Sequence, residues 1–310
     1  MTQQEILLLQ TTKTEKIRLL LALGLSRKSV AEIMMVGYGF VQNVYAKHYT
    51  TNQRSGLNQF EFIEFNRNFG IEIEAYNVEM SQLMRAFDAE GVNYEQASRL
   101  NDKPNLWKIT TDGSIQGQNT FEIVSPILKG RAGLEELRKV CLALKKCNAY
   151  VNKSCGMHVH FCGADFKFKQ WRNIYINYAR LEKVIDAFMP CSRRGDNNQY
   201  CKGFLNNPNF EQKILDATNI SKIEVILSRK RYYKINPMSY ARHKTIEFRQ
   251  HSGTIEFCKI ENWVMFLHNL VEFSKTSQVS KTPDLSSTIE FQQPEIVGYY
   301  HERTQDLCFA

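Results

Sequence analysis

The chain has 310 residues, 43% of them hydrophobic, and a formal net charge of +8. That length holds one large domain, or one domain with a small module, and the apolar fraction excludes a disordered chain. No stretch approaches the run of about 18 apolar residues that crosses a membrane, and the positive charge favours phosphate-bearing partners without choosing between nucleic acid and nucleotide.

Residues 1–50 read as helices set apart from the rest. Lys16 to Leu23 is an apolar-rich helix ending at Gly24, and Ser26 is a good N-cap for a second helix reaching about Met35. Gly37 breaks it, and a third helix runs from about Tyr38 to Tyr49. This is the layout of a helix-turn-helix, with Ala31 at the small-residue position and Val41 at the apolar anchor. The expected turn glycine is displaced: Met35 holds that position and Gly37 follows two residues later. The opening residues lack a signal-peptide pattern, and the polar stretch 50–58 reads as a linker.

Strands and helices then alternate. The pattern predicts a strand over Phe69 to Tyr76 and a helix over Met80 to Ala89. Leu106 to Thr111 and Thr120 to Ser125 read as hairpin strands, with Asp112 and Gly113 near the turn. Leu134, Leu137, Val140, Cys141 and Leu144 mark a helical face, and Tyr150 to Phe161 contains the next strand. A long apolar stripe from Trp171 to Phe188 reads as a core helix stopped by Pro190. Thr245 to Gln250 is a strand and Ile260 to Phe273 a helix, while 276–310 reads as a polar tail or closing helix. Eight cysteines without a C-x-x-C read as reduced thiols of a cytoplasmic protein.

Side chains two apart on a strand share a face. In F-G-I-E-I-E, Phe69, Ile71 and Ile73 lie opposite Glu72 and Glu74. In T-F-E-I-V-S-P, Glu122 lies opposite Phe121 and Ile123; in G-M-H-V-H-F, His158 and His160 lie opposite Met157, Val159 and Phe161. In K-T-I-E-F-R-Q-H, Glu247, Arg249 and His251 lie opposite Ile246 and Phe248. Each motif alone also fits an ion-paired surface. Together they gather carboxylates that repel unless a cation sits among them, and such oxygen-rich sets with an imidazole suit Mg²⁺ or Mn²⁺.

The ordered set F-G-I-E-I-E, D-G-S, E-I-V-S-P, C-G-M-H-V-H and T-I-E-F-R resembles the amidoligases, glutamine synthetase-like carboxylate–amine ligases, over about residues 69–273. The resemblance implies an α+β domain with a curved, mainly antiparallel glutamine synthetase-like sheet and helices on one face. It implies ATP-dependent amide formation, with a carboxylate phosphorylated to an acyl phosphate that an amine then attacks. By motif position, Glu72, His158 and Glu247 would hold the Mg²⁺ or Mn²⁺ ion bridging the ATP phosphates, and Glu74 and Glu122 a second ion. Arg249 would meet the transferring phosphate or the substrate carboxylate, and His160 would lie behind the ligands or on the nucleotide side. Asp112 and Ser114 match the family's aspartate–serine motif and so a substrate-contacting or amine-deprotonating role; an ordinary turn is the other explanation. Arg242 and Lys244, just before the strand, are candidates for nucleotide phosphate or plain loop charges, and Trp107 and Tyr200 are candidates for stacking on adenine.

The expected division is 1–56 for the helix-turn-helix-like module and linker, 57–275 for the catalytic domain and 276–310 for the tail. Three other readings stay open. Cys155, His158, His160 and Cys162 have zinc-ligand chemistry, although alternate strand positions lie about 6.5–7 Å apart and converge poorly on one ion. Guanidino phosphotransferases share the architecture. The chain would otherwise be a DNA-binding regulator with a ligand-sensing domain, meeting nucleic acid through residues 1–50 only; yet the third helix offers just Lys47 and His48 near its end. Self-association is another use of those helices. The expected substrates are small-molecule or peptide carboxylates and amines, with no membrane. Residues 229–249 carry +6, a charge placed beside the carboxylates rather than along a duplex-binding face.

Overall fold

The computed structural model describes residues 2–9, 11–23, 25–52, 62–96 and 105–308. The chain divides into two compact units, residues 1–61 with 285–310, and residues 62–284. Of the two forms expected for the polar C-terminal segment, tail or closing helix, the structure has a helix over Pro294–Cys308, grouped with the N-terminal helices. The end of the expected linker, residues 53–58, lies outside the described residues, and its start is the last turn of a helix.

The first unit contains α1 (Gln3–Leu8), α2 (Lys13–Ala22), α3 (Arg27–Ile33), α4 (Tyr38–Asn52) and α12 (Pro294–Cys308). Side chains of Thr12 and Ser26 cap α2 and α3 by accepting from the Glu15 and Ser29 amides. Ile17, Leu20, Val30 and Val41 are buried together with Ala31. The turn position that favours glycine is left-handed, with Met35 at φ 50°. The α3 residue Arg27 is fully buried: its Nε donates to Glu302 of α12 at 2.7 Å and its guanidinium lies 4.8 Å from the Tyr45 ring centre.

The second unit contains β1 (Asn68–Ala75), α5 (Met80–Ala89), β2 (Tyr94–Gln96), β3 (Trp107–Thr110), β4 (Phe121–Val124), β5 (Leu128–Lys129), α6 (Gly130–Lys146), β6 (Met157–Cys162), α7 (Phe168–Ala187), α8 (Phe210–Asp216), α9 (Ile220–Ile226), β7 (Ile235–Asn236), α10 (Ser239–His243), β8 (Thr245–Phe248) and α11 (Phe257–Ser274). The sheet order is β2-β3-β4-β1-β6-β8-β7, with β5 beside β1. Among the described strands only β2 and β3 pair in parallel. This is the expected α+β class with a mainly antiparallel sheet.

Register puts like beside like. Phe69 faces Phe161, Ile71 faces Val159, Ile73 faces Ile123 and Met157, and Val159 faces Phe248. That apolar face packs on helices: Phe248 meets Tyr178 of α7 at 5.6 Å between ring centres, and Phe161 meets His268 of α11 at 6.3 Å. Gly133 of α6 packs so close to Phe69 that a β-carbon there would lie 2.8 Å from the ring. The strands β2, β5 and β7 and the helices α1, α8, α9 and α10 are not expected from the sequence; two or three residues carry no readable alternation.

Candidate active site on the polar face of the sheet

The same register gathers the polar set. Glu74 of β1 lies directly opposite Glu122 of β4, Glu72 opposite His158 of β6, and His160 opposite Glu247 of β8. Two carboxylates directly opposite on adjacent strands repel, so the Glu74–Glu122 pair costs stability unless a cation intervenes. The alternation read from the sequence thus assembles the expected residues on one face.

Glu72 is the hub. Its Oε2 lies 2.7 Å from His158 Nδ1 and its Oε1 3.2 Å from His160 Nε2. Burial alone would raise the Glu72 carboxyl, but the hydrogen bond with His158 and the closeness of His160 outweigh it and hold the group well below the usual range. Burial would lower His160; the Glu72 carboxylate overcomes this and raises it. His160 Nδ1 lies 3.1 Å from Thr245 Oγ1, which is 2.7 Å from Ser239 Oγ, so His160 is held behind Glu72. Glu247 accepts from Asn236 Nδ2 at 2.7 Å and pairs with Arg249 at 2.5 Å. Burial would raise Glu247, and His160 and Arg249 bring it below its ordinary value. Glu74 accepts from the Gly156 amide at 2.6 Å.

Glu122 is the exception. Burial first, then the charges of Glu72, Glu74 and Asp112, push it up to about 8, against the pull of Arg249. Carboxylates crowded in this way repel one another, and a divalent cation among them would relieve that repulsion. Two groups present ligand atoms all within 4.8 Å of one another: Glu72, His158 and Glu247, and Glu74, Glu122 and His158. Neither contains a cysteine, and Cys155 is buried. The donor set of carboxylates with one imidazole fits Mg²⁺ or Mn²⁺ better than a thiolate-rich zinc site.

Glu72, Glu74, Glu122 and His158 line a cleft of about 270 Å³, while Glu247 lies behind it against Arg249. Asp112 and Ser114 line it, with Ser114 Oγ donating to Asp112 Oδ1 at 2.7 Å. The facing wall comes from two loops: Arg193, Asn198 and Tyr200 after α7, and Arg231 and Tyr232 before β7, with Arg249 beside them. Tyr200, expected as an aromatic platform, lies here against Tyr232 at 5.3 Å. Arg193, Asn198, Arg231 and Tyr232 are not singled out by the sequence reading. Their signal was the long polar stretch R-R-G-D-N-N-Q-Y between apolar segments and the basic run at 229–234, since such loops on a rigid sheet carry binding groups.

Other expected residues are elsewhere. Arg242 and Lys244 are exposed on α10 and its C-cap and do not line the cleft; Lys244 lies over the Tyr240 ring at 4.9 Å. Trp107 is 2% exposed on the apolar side of β3, because it shares parity with Ile109, and so cannot stack on a ligand. The strand β8 stops at Phe248, and His251 turns into the helix layer, 5.6 Å from the Trp263 ring.

No helix among the described residues is long and apolar enough to cross a membrane. A comparison with curated proteins finds no match. A family model described as "Putative amidoligase enzyme" matches residues 65–271, the span that carries the whole carboxylate–histidine face. On that match, the chain belongs to the amidoligase family.

Proposed function

We propose that the protein is an ATP- and Mg²⁺- or Mn²⁺-dependent ligase that joins a carboxylate to an amine through an acyl phosphate. The observation that carries this is the register-paired Glu74 and Glu122 beside Glu72, His158 and Glu247, two ligand groups sharing one imidazole. Divalent cations held there would screen triphosphate from carboxylate and stabilise charge on the phosphoryl group.

The chain's own residues do the rest. Arg249, fixed by Glu247 at 2.5 Å, aims its remaining donors at phosphoryl oxygens entering the cleft. His160 orients Glu72 and holds a proton on the ring nitrogen facing it. Asp112, on the cleft wall, is placed to take a proton from the attacking amine, with the Ser114 hydroxyl fixing its carboxylate. Tyr200 and Tyr232 offer ring faces to an adenine or to an aromatic part of the substrate.

The test is to incubate the purified protein with Mg–ATP and pooled amino acids, amines and acidic peptides. Phosphate release should accompany a product lighter by one water than the sum of its parents. Glu74→Gln and Glu247→Gln should each abolish both signals. Full turnover by either variant would contradict the assigned ligand groups.

A further inference from the structure

The wall facing the carboxylates holds the least compensated charge in the cleft. Arg193 ends the short helical turn Cys191–Arg193 and is 4% exposed. Its Nη2 donates to the Cys155 carbonyl at 2.5 Å, while its buried Nε has no acceptor. Among the described residues it enters no ion pair, whereas Arg249 is neutralised by Glu247 and Lys234 by Glu182 and Asp186. A buried guanidinium with one carbonyl for its five donors is costly, and an incoming anion would remove that cost.

The position of Arg193 says where that anion lies. His158 stands between two guanidinium groups. Arg249 Nη1 is 3.5 Å from the Nδ1 edge of the ring. On the Nε2 edge, a β-carbon on Gly156 would be 3.2 Å from His158 Nε2 and 3.4 Å from Arg193 Nη2. Only a hydrogen at position 156 leaves that space open. The Nε2 edge is also 4.0 Å from Glu74. Arg193 therefore stands on the Nε2 side of His158, the side of Glu74, and Arg249 on the Nδ1 side with Glu72 and Glu247. A second guanidinium that pairs with no carboxylate among the described residues lines the same cleft: exposed Arg231, 5.3 Å from the Tyr232 ring centre.

Building on the ligase reading above, we propose that Arg193 and Arg231 form a carboxylate-recognition subsite at two depths. Arg193 takes the carboxylate that lies beside the Glu74 group, and Arg231 meets a second carboxylate at the mouth. The acid substrate is then a dicarboxylate or an acidic peptide end, not a neutral-tailed monoacid. Guanidinium is suited to this because its planar fork binds carboxylate bidentately.

The test uses the full chain with glutarate, butyrate, inorganic phosphate and a non-hydrolysable ATP analogue, titrated calorimetrically with and without Mn²⁺. Glutarate should bind about tenfold or more tighter than butyrate. Arg231→Gln should erase that difference, and Arg193→Gln should weaken both acids about tenfold, with partial recovery in Arg193→Lys. Affinity for the nucleotide analogue and for phosphate should change by less than about threefold in these variants. Equal binding of glutarate and butyrate, unchanged acid binding in the variants, or a loss confined to nucleotide or phosphate would each overturn the subsite. If Arg193→Gln does not fold, the exposed Arg231→Gln and the conservative Arg193→Lys decide the matter. Absence of Mn²⁺ binding with Arg193-dependent glutarate binding intact would sink the ligase reading and leave the subsite standing; the reverse pattern would do the opposite.

Discussion

At the scale of single residues, the site is a balance of charges in which Glu122 stands out. Glu122 holds its proton far more tightly in the folded protein, up to about 8, than in the unfolded chain near the ordinary 4.5. The folded state thus binds more protons across that window; the buried His268 works the other way below about pH 6.5, so stability without divalent ions should fall as pH rises from about 6.5 to 8. His160, raised by Glu72, acts in the same direction. Thermal denaturation should show this decline, by several degrees. Glu122→Gln should flatten it, and Mn²⁺ should stabilise the wild type more at pH 8 than at pH 6. A wild-type profile that does not fall over this range would contradict it. The clustering of the candidate ligand residues on one face was legible in the sequence because strand alternation has a period of two, which fixes the face without any knowledge of partners. Arg193 and Arg231 were legible only as members of a polar stretch and a basic run, because loops place them and no periodicity reports where a loop returns. Trp107 shows the same rule from the other side: its parity with Ile109 already put it on the apolar face.

At the scale of elements, the last turns of α7 hold both loops of the cleft wall. Lys234 is fully buried, with Nζ donating to Glu182 at 3.1 Å and Asp186 at 2.6 Å. The other oxygens of those carboxylates accept from the Phe204 amide at 2.7 Å and the Gly195 amide at 2.8 Å. A β-carbon on Gly203 would overlap Glu182 Oε1, so that position admits no side chain. Lys234→Met leaves two carboxylates buried without their cation and should cost about 3–5 kcal/mol in denaturant unfolding. A cost below about 1 kcal/mol would show the network is not needed. The helix α11 carries a separate pH response. Burial lowers His268 to about 4, against the pull of Glu272. With the folded value below the unfolded one near 6.5, its contribution is present above about 6.5 and is lost as pH falls toward 4. Unfolding at pH 7 and pH 4.5 should differ by roughly 2–3 kcal/mol more in the wild type than in His268→Gln; equal differences would contradict this. The helices α6, α7 and α11 were readable from their stripes, whereas β2, β5 and β7 exist only because neighbouring strands supply their hydrogen bonds.

At the scale of the whole molecule, the chain's two ends form one unit and the sheet another. The polar segment 276–310 reads as a tail or closing helix, and its helix buries Ile296, Val297 and Tyr300 and pairs Glu302 with Arg27. Deleting residues 1–56 alone would therefore strand α12. Residues 62–284 expressed by themselves should fold and keep cation binding, whereas Arg27→Ala should loosen the helical unit without changing that binding. Hydrogen exchange on both proteins checks this; loss of protection in the β1, β6 and β8 strands of either would contradict it.

On the proposed function, the paired carboxylates of β1 and β4, with His158 and Glu247, would hold divalent cations for phosphoryl chemistry. Titration of the full chain with Mn²⁺ at pH 8, followed by electron paramagnetic resonance, tests it most directly. The expected result is two bound ions per chain in the wild type, with Glu74→Gln and Glu122→Gln each losing one. No tight Mn²⁺ binding, or the same stoichiometry and affinity in both variants, would contradict it.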